Sequence, residues 1–156
     1  MRPVLAALSV LALAACSPEA EAPGPAAAPE PAPMLAGVDL SRPVRALGTE
    51  PFWGVELTGT ELVYAGADRP EQRAPQPKPL IQGTTATFET ETSAGNPISV
   101  MLAATECSDG MSDRTYPLSA VVRIGDETLT GCAASVAAIM TTGESGPVVE
   151  KTQPPA

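Results

Sequence analysis

Histidine is missing from this 156-residue sequence, and several kinds of catalytic site are excluded with it. Histidine is the commonest general base, the commonest zinc ligand and the central residue of Ser-His-Asp and Cys-His arrangements. Lysine is nearly as scarce, since it occurs only at Lys78 and Lys151, so a Ser-Lys pair is not expected either. We therefore predict a protein that is not an enzyme, with no catalytic residue, no metal site and no cofactor.

Aromatic residues are also scarce, at 3% of the chain: two Phe, two Tyr and one Trp. A glycosidase with two catalytic carboxylates remains formally compatible with the composition, but the chain offers no set of aromatic side chains against which sugars would stack. The same scarcity predicts a lean hydrophobic core.

Positive charge is in short supply, with nine Lys and Arg against eighteen Asp and Glu and a net charge of −9. There is no basic stripe, and this excludes nucleic acid as a partner. The acidic balance favours a basic protein as partner only weakly, because acidic surfaces mostly keep proteins soluble.

The first sixteen residues have the pattern of a lipoprotein signal peptide. Arg2 precedes an apolar run over residues 4–15 that is too short to remain as a membrane-spanning helix. The run ends in LAAC, which resembles the lipobox of bacterial lipoproteins; a plain secretory signal is the alternative. The resemblance implies removal of residues 1–15 and acylation of Cys16, which would anchor the protein in membrane lipid. Because Ser17 rather than Asp follows, it also favours the periplasmic face of the outer membrane.

The rest of the chain divides by composition. Residues 16–43 hold the lipidated cysteine and a Pro/Ala/Glu-rich segment with almost no large apolar residue, which predicts a disordered tether. Residues 143–156 carry Gly, Glu and Pro and predict a disordered tail. Residues 44–142 remain for a single folded domain.

The three cysteines suit an oxidising compartment. With Cys16 taken by lipid, Cys107 and Cys132 are left as an even number, and the default in such a compartment is a disulfide. No free thiol would then remain for catalysis.

Short β-strands joined by turns dominate the predicted domain. The segments 52–57 and 61–64 alternate apolar and polar residues around a Thr-Gly-Thr turn, which is a hairpin pattern. Residues 98–107 predict a strand covered on both sides, and residues 134–141 fit either a final strand or a short helix. We predict an all-β fold, a small antiparallel meander closed into a barrel, with a β-sandwich as the alternative.

The loop CSDGMSDRTYP, residues 107–117, is the densest polar motif. Asp109, Ser112 and Asp113 have short side chains that bond nearby backbone amides, and Gly110 permits a positive φ between them. Arg114 is expected to bridge the two aspartates or to reach Glu50 or Glu106. Three interpretations stay open. The loop is a rigid crossover, or a recognition loop presenting Ser112, Asp113 and Arg114, or a calcium site built from Glu106, Asp109 and Asp113.

The second motif of interest is GTEPFW, residues 48–53. Phe52 and Trp53 are adjacent, so a strand points them to opposite faces. We predict that one of them fills the core near an end of the barrel and that the other covers an end or a groove.

Together these motifs resemble an uncharacterised family of small bacterial envelope lipoproteins. The resemblance rests on GTEPFW, a hairpin ending at Tyr64, CSDGMSDRTYP and LTGCA, and it covers most of residues 46–134. It implies the following signature positions in this chain: Glu50, Trp53, Asp109, Gly110, Asp113, Arg114 and Tyr116.

A looser resemblance is to the membrane-bound inhibitors of C-type lysozyme. Residues 112–116 are similar to the serine- and tyrosine-bearing loop that enters the lysozyme cleft in that family, although the glycine after the serine is absent. We therefore predict a lipid-anchored envelope protein that acts by binding, with lysozyme-like inhibition and a structural or stress-related role as alternatives. The candidate binding residues are Glu50, Trp53, Ser112, Asp113, Arg114 and Tyr116.

Overall fold

The computed structural model describes residues 31–150. The predicted signal peptide, Cys16 and most of the predicted tether lie outside the described residues. The strands, numbered along the chain, are β1 (Met34–Leu35), β2 (Val38–Asp39), β3 (Val44–Thr49), β4 (Phe52–Leu57), β5 (Glu61–Gly66), β6 (Gln72–Pro75), β7 (Leu80–Gln82), β8 (Thr85–Glu91), β9 (Pro97–Ala103), β10 (Asp113–Thr115), β11 (Leu118–Ile124), β12 (Glu127–Ser135) and β13 (Ser145–Pro147). One helix, α1, spans Val136–Thr141. Within residues 31–150, no helix is both long and apolar enough to cross a bilayer.

Nine of the strands form one antiparallel sheet in the order β6-β5-β4-β3-β12-β11-β9-β8-β7, curled into a half-barrel. The all-β antiparallel prediction is confirmed, and most neighbours in the sheet are also neighbours in the chain. The exceptions are the β9–β11 pair, which has β10 between its strands in the chain, and the β3–β12 pair, which joins the first hairpins to the last one.

The two edge strands, β6 and β7, follow each other in the chain and are linked only by residues 76–79. Because so few residues reach at most about 17 Å, the link holds the two edges near each other. Farther along, Ser93 N donates to Arg73 O at 2.8 Å, and Asn96 Nδ2 donates to Gln72 Oε1 at 2.9 Å. The sheet thus closes on itself through the linker and these bonds instead of through a full strand ladder.

Side chains of alternating burial fill the interior. On β11, Leu118, Ala120, Val122 and Ile124 are buried, and the residues between them are half-buried or exposed. This period of two is what a sheet with one covered face requires. The predicted cover on both sides of the strand that begins at residue 98 is wrong, because Met101 on β9 is exposed. The largest fully buried apolar side chains of the barrel interior include Phe88, Leu40, Leu57, Leu62, Ile98, Leu102, Leu118 and Ile124.

The folded part extends beyond the predicted bounds of 44–142. At its start, β1 and β2 pair antiparallel, and Leu35, Val38 and Leu40 are buried in the main core. At its end, β13 pairs in parallel with β10 and Val148 is fully buried. The predicted limits of the tether at 43 and of the tail at 143 are therefore wrong. Single apolar residues in these otherwise polar stretches are buried against the folded domain.

The stretch 134–141, for which the sequence allowed either a strand or a helix, contains both, and a helix N-cap marks the boundary. Ala134 and Ser135 finish β12, and α1 begins directly after them. Ser135 is the N-cap, and its Oγ accepts from Ala138 N at 3.1 Å. A serine in this position satisfies a backbone amide that the first helical turn leaves without a partner.

Candidate functional site

The connection between β9 and β11, residues 104–117, lies against the outer face of the sheet, and we call it the crossover loop. Cys107 and Cys132 form the predicted disulfide, with 5.5 Å between their Cα atoms. Cys107 and Tyr116 also exchange two backbone hydrogen bonds, of 2.9 and 2.8 Å. The base of the crossover loop is thus a short antiparallel pair fixed covalently to β12.

A second, smaller apolar cluster sits beneath this loop. Cys132 and Ala134 belong to it, whereas Ala133 between them belongs to the main core, so the cluster occupies the opposite face of the sheet. Tyr116, only 2% exposed, is its largest side chain. The cluster consists of Tyr116, Cys132, Ala134, Ala138 and Val148, with Leu47, Cys107 and Ile139 packed against it. It holds the crossover loop, α1 and β13 on the barrel.

Asp109 organises the tip of the crossover loop. Its Oδ1 accepts from the backbone amides of Met111 at 2.9 Å and Ser112 at 2.8 Å. Its Oδ2 accepts from Ser112 Oγ at 2.8 Å and from the Tyr116 hydroxyl at 3.1 Å. The carbonyl of Asp109 accepts from Thr49 Oγ1 at 3.0 Å, which ties the tip to β3. The turn-forming role predicted for Asp109 is confirmed, and Gly110 has the expected positive φ of 72°.

These bonds change the acidity of Asp109. Its partial burial by itself raises the pKa, but the hydrogen bonds from Ser112, Met111 and Tyr116 favour the carboxylate and together lower the pKa of Asp109 to about 2. The folded-state pKa thus lies below the ordinary value of 3.8. The resulting stability is present above pH 3.8 and is lost as the pH falls toward 2.

Asp109→Asn is expected to lower the free energy of unfolding by about 1–2 kcal/mol at pH 7, because an amide accepts these bonds less strongly than a carboxylate. The difference from wild type should shrink as the pH falls from 4 to 2. Urea unfolding at several pH values measures both effects. Asp113→Asn is the matched control, since the Asp113 side chain is exposed and makes no hydrogen bond or ion pair within residues 31–150. A difference between wild type and Asp109→Asn that stays constant down to pH 2 would contradict the assignment.

Arg114 has a different role from the predicted one. Its Nε donates to Gly143 O at 2.7 Å and its Nη2 to Thr142 O at 3.3 Å, just after α1. The guanidinium also lies 3.6 Å from the largely exposed carboxylate of Glu144. The predicted bridge between the two aspartates, or to Glu50 or Glu106, is wrong. Arg114 instead donates to the carbonyl of Thr142, the C-cap of α1, and to the carbonyl of the next residue, Gly143.

The other predicted site residues divide into those bonded to Asp109 and those that are exposed. The hydroxyls of Ser112 and Tyr116 are both bonded to Asp109. Asp113 and Glu50 are exposed. The interpretation as a calcium site gains no support, because within residues 31–150 no three His, Cys, Asp or Glu side chains gather closely enough to hold a metal ion.

Trp53 and Phe52 point to opposite faces, as predicted. Trp53 is 6% exposed and belongs to the main core, whereas Phe52 is 59% exposed. The indole lies directly over Gly48, where an added Cβ would come within 2.1 Å of Trp53 Nε1. Core packing is therefore the role of Trp53, and Phe52 is the member of the pair that a partner can touch.

Phe52 borders a groove of about 650 Å³ on the outer face of β3, β4 and β5, which we call the outer groove. Strand register explains its shape. Leu47, Gly54 and Ala65 are cross-strand neighbours, and this row of mostly small side chains forms the floor. Thr49 and Phe52 form the next row, on one side of the floor.

The opposite side of the outer groove is charged. Arg45, Glu56 and Val63 form the cross-strand row there. Asp109 and Tyr116, both in the crossover loop, line one end of the groove. The groove therefore has the apolar ring of Phe52 on one side, charged side chains on the other, and a floor in which Leu47 is the largest side chain.

A second groove, of about 480 Å³, lies between the β3–β4 turn and the tip of the crossover loop. Glu50 and Met111 border it, and Met111 is 68% exposed. Thr49 and Asp109 line both grooves, and the hydrogen bond between them joins β3 to the tip of the crossover loop. Phe52 and Met111 therefore lie beside adjoining grooves, on two segments that are bonded to each other.

Sequence reasoning missed both Met111 and the outer groove. Gly54 and Ala65 carry no chemical signal in a sequence, and a strand residue's neighbours depend on register. The signal that was present is the period of two, which points residues 52, 54 and 56 to the outer face. Comparison of the chain with protein-family models, with curated proteins and with solved structures finds no match.

Proposed function

We propose that this protein is a lipid-anchored lipoprotein of the bacterial cell envelope that acts by binding a partner protein and not by catalysis. The LAAC tetrapeptide at Cys16 supports the anchor, and the resemblance to small envelope lipoproteins supports the location. The observation that carries the binding role is the exposure of two large apolar side chains, Phe52 and Met111, beside adjoining grooves.

Both side chains stand on a rigid frame. Phe52 begins β4, whose ladder with β3 is continuous from Thr49 to Val44. Met111 lies in the tip of the crossover loop, which the disulfide and the hydrogen bonds of Asp109 hold in place. A surface that is already ordered loses little conformational entropy on binding, so its apolar contacts contribute more fully to affinity. Buried aromatic and Met side chains are typical of interface centres.

The chemistry of the loop supports binding over catalysis. Ser112 and Tyr116 are the hydroxyl groups nearest to a carboxylate there, and both donate to Asp109. A carboxylate with a pKa of about 2 is a weak base at neutral pH, so it would not activate either hydroxyl as a nucleophile.

A basic hydrolase of the lysozyme type is the partner class that the net charge of −9 favours. The similarity of residues 112–116 to the lysozyme-inhibitor loop supports the same class. The contact would differ from that family's, since the Ser112 hydroxyl is held by Asp109 and the exposed groups are Met111 and Asp113. A structural or stress-related envelope role is the alternative.

Photo-crosslinking in cells tests the proposal. We expect benzoylphenylalanine at position 52 or 111 to capture one specific polypeptide, identified by mass spectrometry. Leu80 and Met140 are the matched controls, since they are exposed to a similar degree, 61% and 78%, and line neither groove. Positions 80 and 140 should give no adduct.

Equal labelling at all four positions, or none at 52 and 111, would contradict the binding role. Lysozyme inhibition is measured separately by turbidity of a cell-wall suspension. Phe52→Ser and Met111→Ser should each weaken any inhibition by the mature protein, and Leu80→Ser should leave it unchanged. Absence of inhibition by the wild type removes the lysozyme class but not a partner captured at position 52.

A further inference from the structure

Arg45 and Arg123 are the two arginines of residues 31–150 without a carboxylate within 4.0 Å, and of these two Arg45 lines the outer groove. Arg42, Arg69, Arg73 and Arg114 each lie within 4.0 Å of a carboxylate. Arg45 has no such partner within the described residues, although the chain carries twice as many acidic as basic groups. Its guanidinium extends across the floor of the outer groove, near Gly54.

The guanidinium is therefore available as a donor inside a groove. A cation of this kind forms paired, parallel hydrogen bonds with a carboxylate, and such bonds are stronger and more directional than bonds between neutral groups. Glu56, its cross-strand neighbour, keeps its own carboxylate farther away than 4.0 Å. An incoming carboxylate would meet the donors of Arg45 without displacing a partner among the described residues.

The dimensions of the groove fit a short extended peptide. Its floor crosses three strands, from Leu47 through Gly54 to Ala65, which corresponds to about 10 Å at ordinary strand spacing. An extended chain advances about 3.3 Å per residue, so three to four residues span the floor. Phe52 on one wall offers an apolar contact for one side chain, and Arg45 on the other offers a charged one.

We infer that the outer groove binds an extended segment of the partner protein in which an Asp or Glu side chain pairs with Arg45 and a neighbouring apolar side chain packs on Phe52. The inference rests on the proposed binding function, and it specifies which residues of the partner the groove would recognise. The overall negative charge governs which proteins approach, whereas a single charge-assisted pair fixes register and specificity. An acidic residue within a basic partner therefore satisfies both.

Selection of a displayed library of random heptapeptides on the full mature protein tests the inference. We expect enrichment of peptides with Asp or Glu beside an apolar residue. Binding of a selected synthetic peptide should weaken about tenfold in Arg45→Gln, since a charge-assisted pair is lost, and by a similar factor in Phe52→Ser. Ala65→Leu should also weaken it by filling the floor, because Ala65 is exposed and a larger side chain there leaves the core intact.

Arg123→Gln is the matched control. Arg123 is exposed on β11, also has no carboxylate within 4.0 Å among the described residues, and lines neither groove. Its replacement should change peptide affinity less than twofold. Glu56→Gln should leave affinity unchanged or raise it, because it removes a repulsive charge beside the bound carboxylate.

Three results would overturn the inference: enrichment of Lys- or Arg-bearing peptides, no enrichment over a selection on an unrelated protein, or affinity that is insensitive to both Arg45→Gln and Phe52→Ser. A specific crosslink at position 52 together with any of these leaves the binding function standing and removes only the peptide assignment. Absence of crosslinks at 52 and 111 removes the binding function itself, whatever peptides are enriched.

Discussion

Replacing Cys107 and Cys132 together by alanine is expected to lower the free energy of unfolding by about 3.5 kcal/mol, the largest effect of any change proposed for this protein. The disulfide closes a loop of 25 residues, and its loss restores the corresponding chain entropy to the unfolded state. Alanine keeps position 132 apolar, which matters because Cys132 is fully buried beside Tyr116. For a domain of this size the midpoint of thermal unfolding should fall by roughly 15 °C.

Wild-type protein in the presence of reductant is the natural control. It should unfold at nearly the same midpoint as the double variant, and the oxidised wild type should unfold well above both. The loss should appear first in the crossover loop, since the disulfide joins that loop to β12. Amide exchange of Tyr116, whose N–H donates to Cys107 O at 2.8 Å, reports on it. An unchanged midpoint under reductant would contradict a stabilising disulfide.

Gly131→Ala is expected to destabilise the fold by about 3 kcal/mol. A Cβ at this position would lie 2.0 Å from Leu47 O and 2.8 Å from Leu47 C, and both atoms are backbone of the paired strand β3. Backbone in the middle of a sheet has no alternative rotamer, so the β3–β12 pairing itself must shift. The indole of Trp53 blocks relief on another side, with Cζ2 at 2.9 Å.

Gly54→Ala is the matched control for this change. Gly54 is also a strand glycine, on β4, but the nearest atoms to an added Cβ are Arg45 Nη2 at 3.5 Å and Ala46 O at 3.7 Å. These are ordinary contacts, so the variant should be as stable as the wild type or slightly more stable, since alanine loses less backbone entropy on folding. Urea unfolding of the two variants measures the contrast. Equal stability of Gly131→Ala and Gly54→Ala would show that β3 and β12 are not packed this closely.

The strands and the disulfide were predictable because their signals are local or covalent. Alternation in Phe52–Leu57 identifies a strand wherever it pairs, and the expected lipidation of Cys16 left Cys107 and Cys132 as the predicted pair. The bounds of the fold were not predictable in the same way. Val148 stands among Gly, Pro and Glu residues, and only the apolar cluster beside Tyr116 and Cys132 gives it a place to be buried.

The candidate site shows the same division. The bonds of Asp109 to Met111 and Ser112 span two and three residues, so turn chemistry anticipates them. The partners of Arg114 lie 28 and 29 residues away, at Thr142 and Gly143, and no local pattern points to them. The sequence predicted that Arg114 pairs with acidic side chains. In the structure it donates instead to the two backbone carbonyls that follow α1.

By itself, the sequence determined that this protein has an all-β domain of alternating strands and no histidine chemistry, because composition and period do not depend on how the chain folds back. Only the tertiary structure decided which faces became surface. Strand register set Leu47, Gly54 and Ala65 in one row and left Arg45 and Phe52 on either side of it. A row of that kind exists only between strands, since its members come from three different segments of the chain and meet through backbone pairing that no single segment encodes.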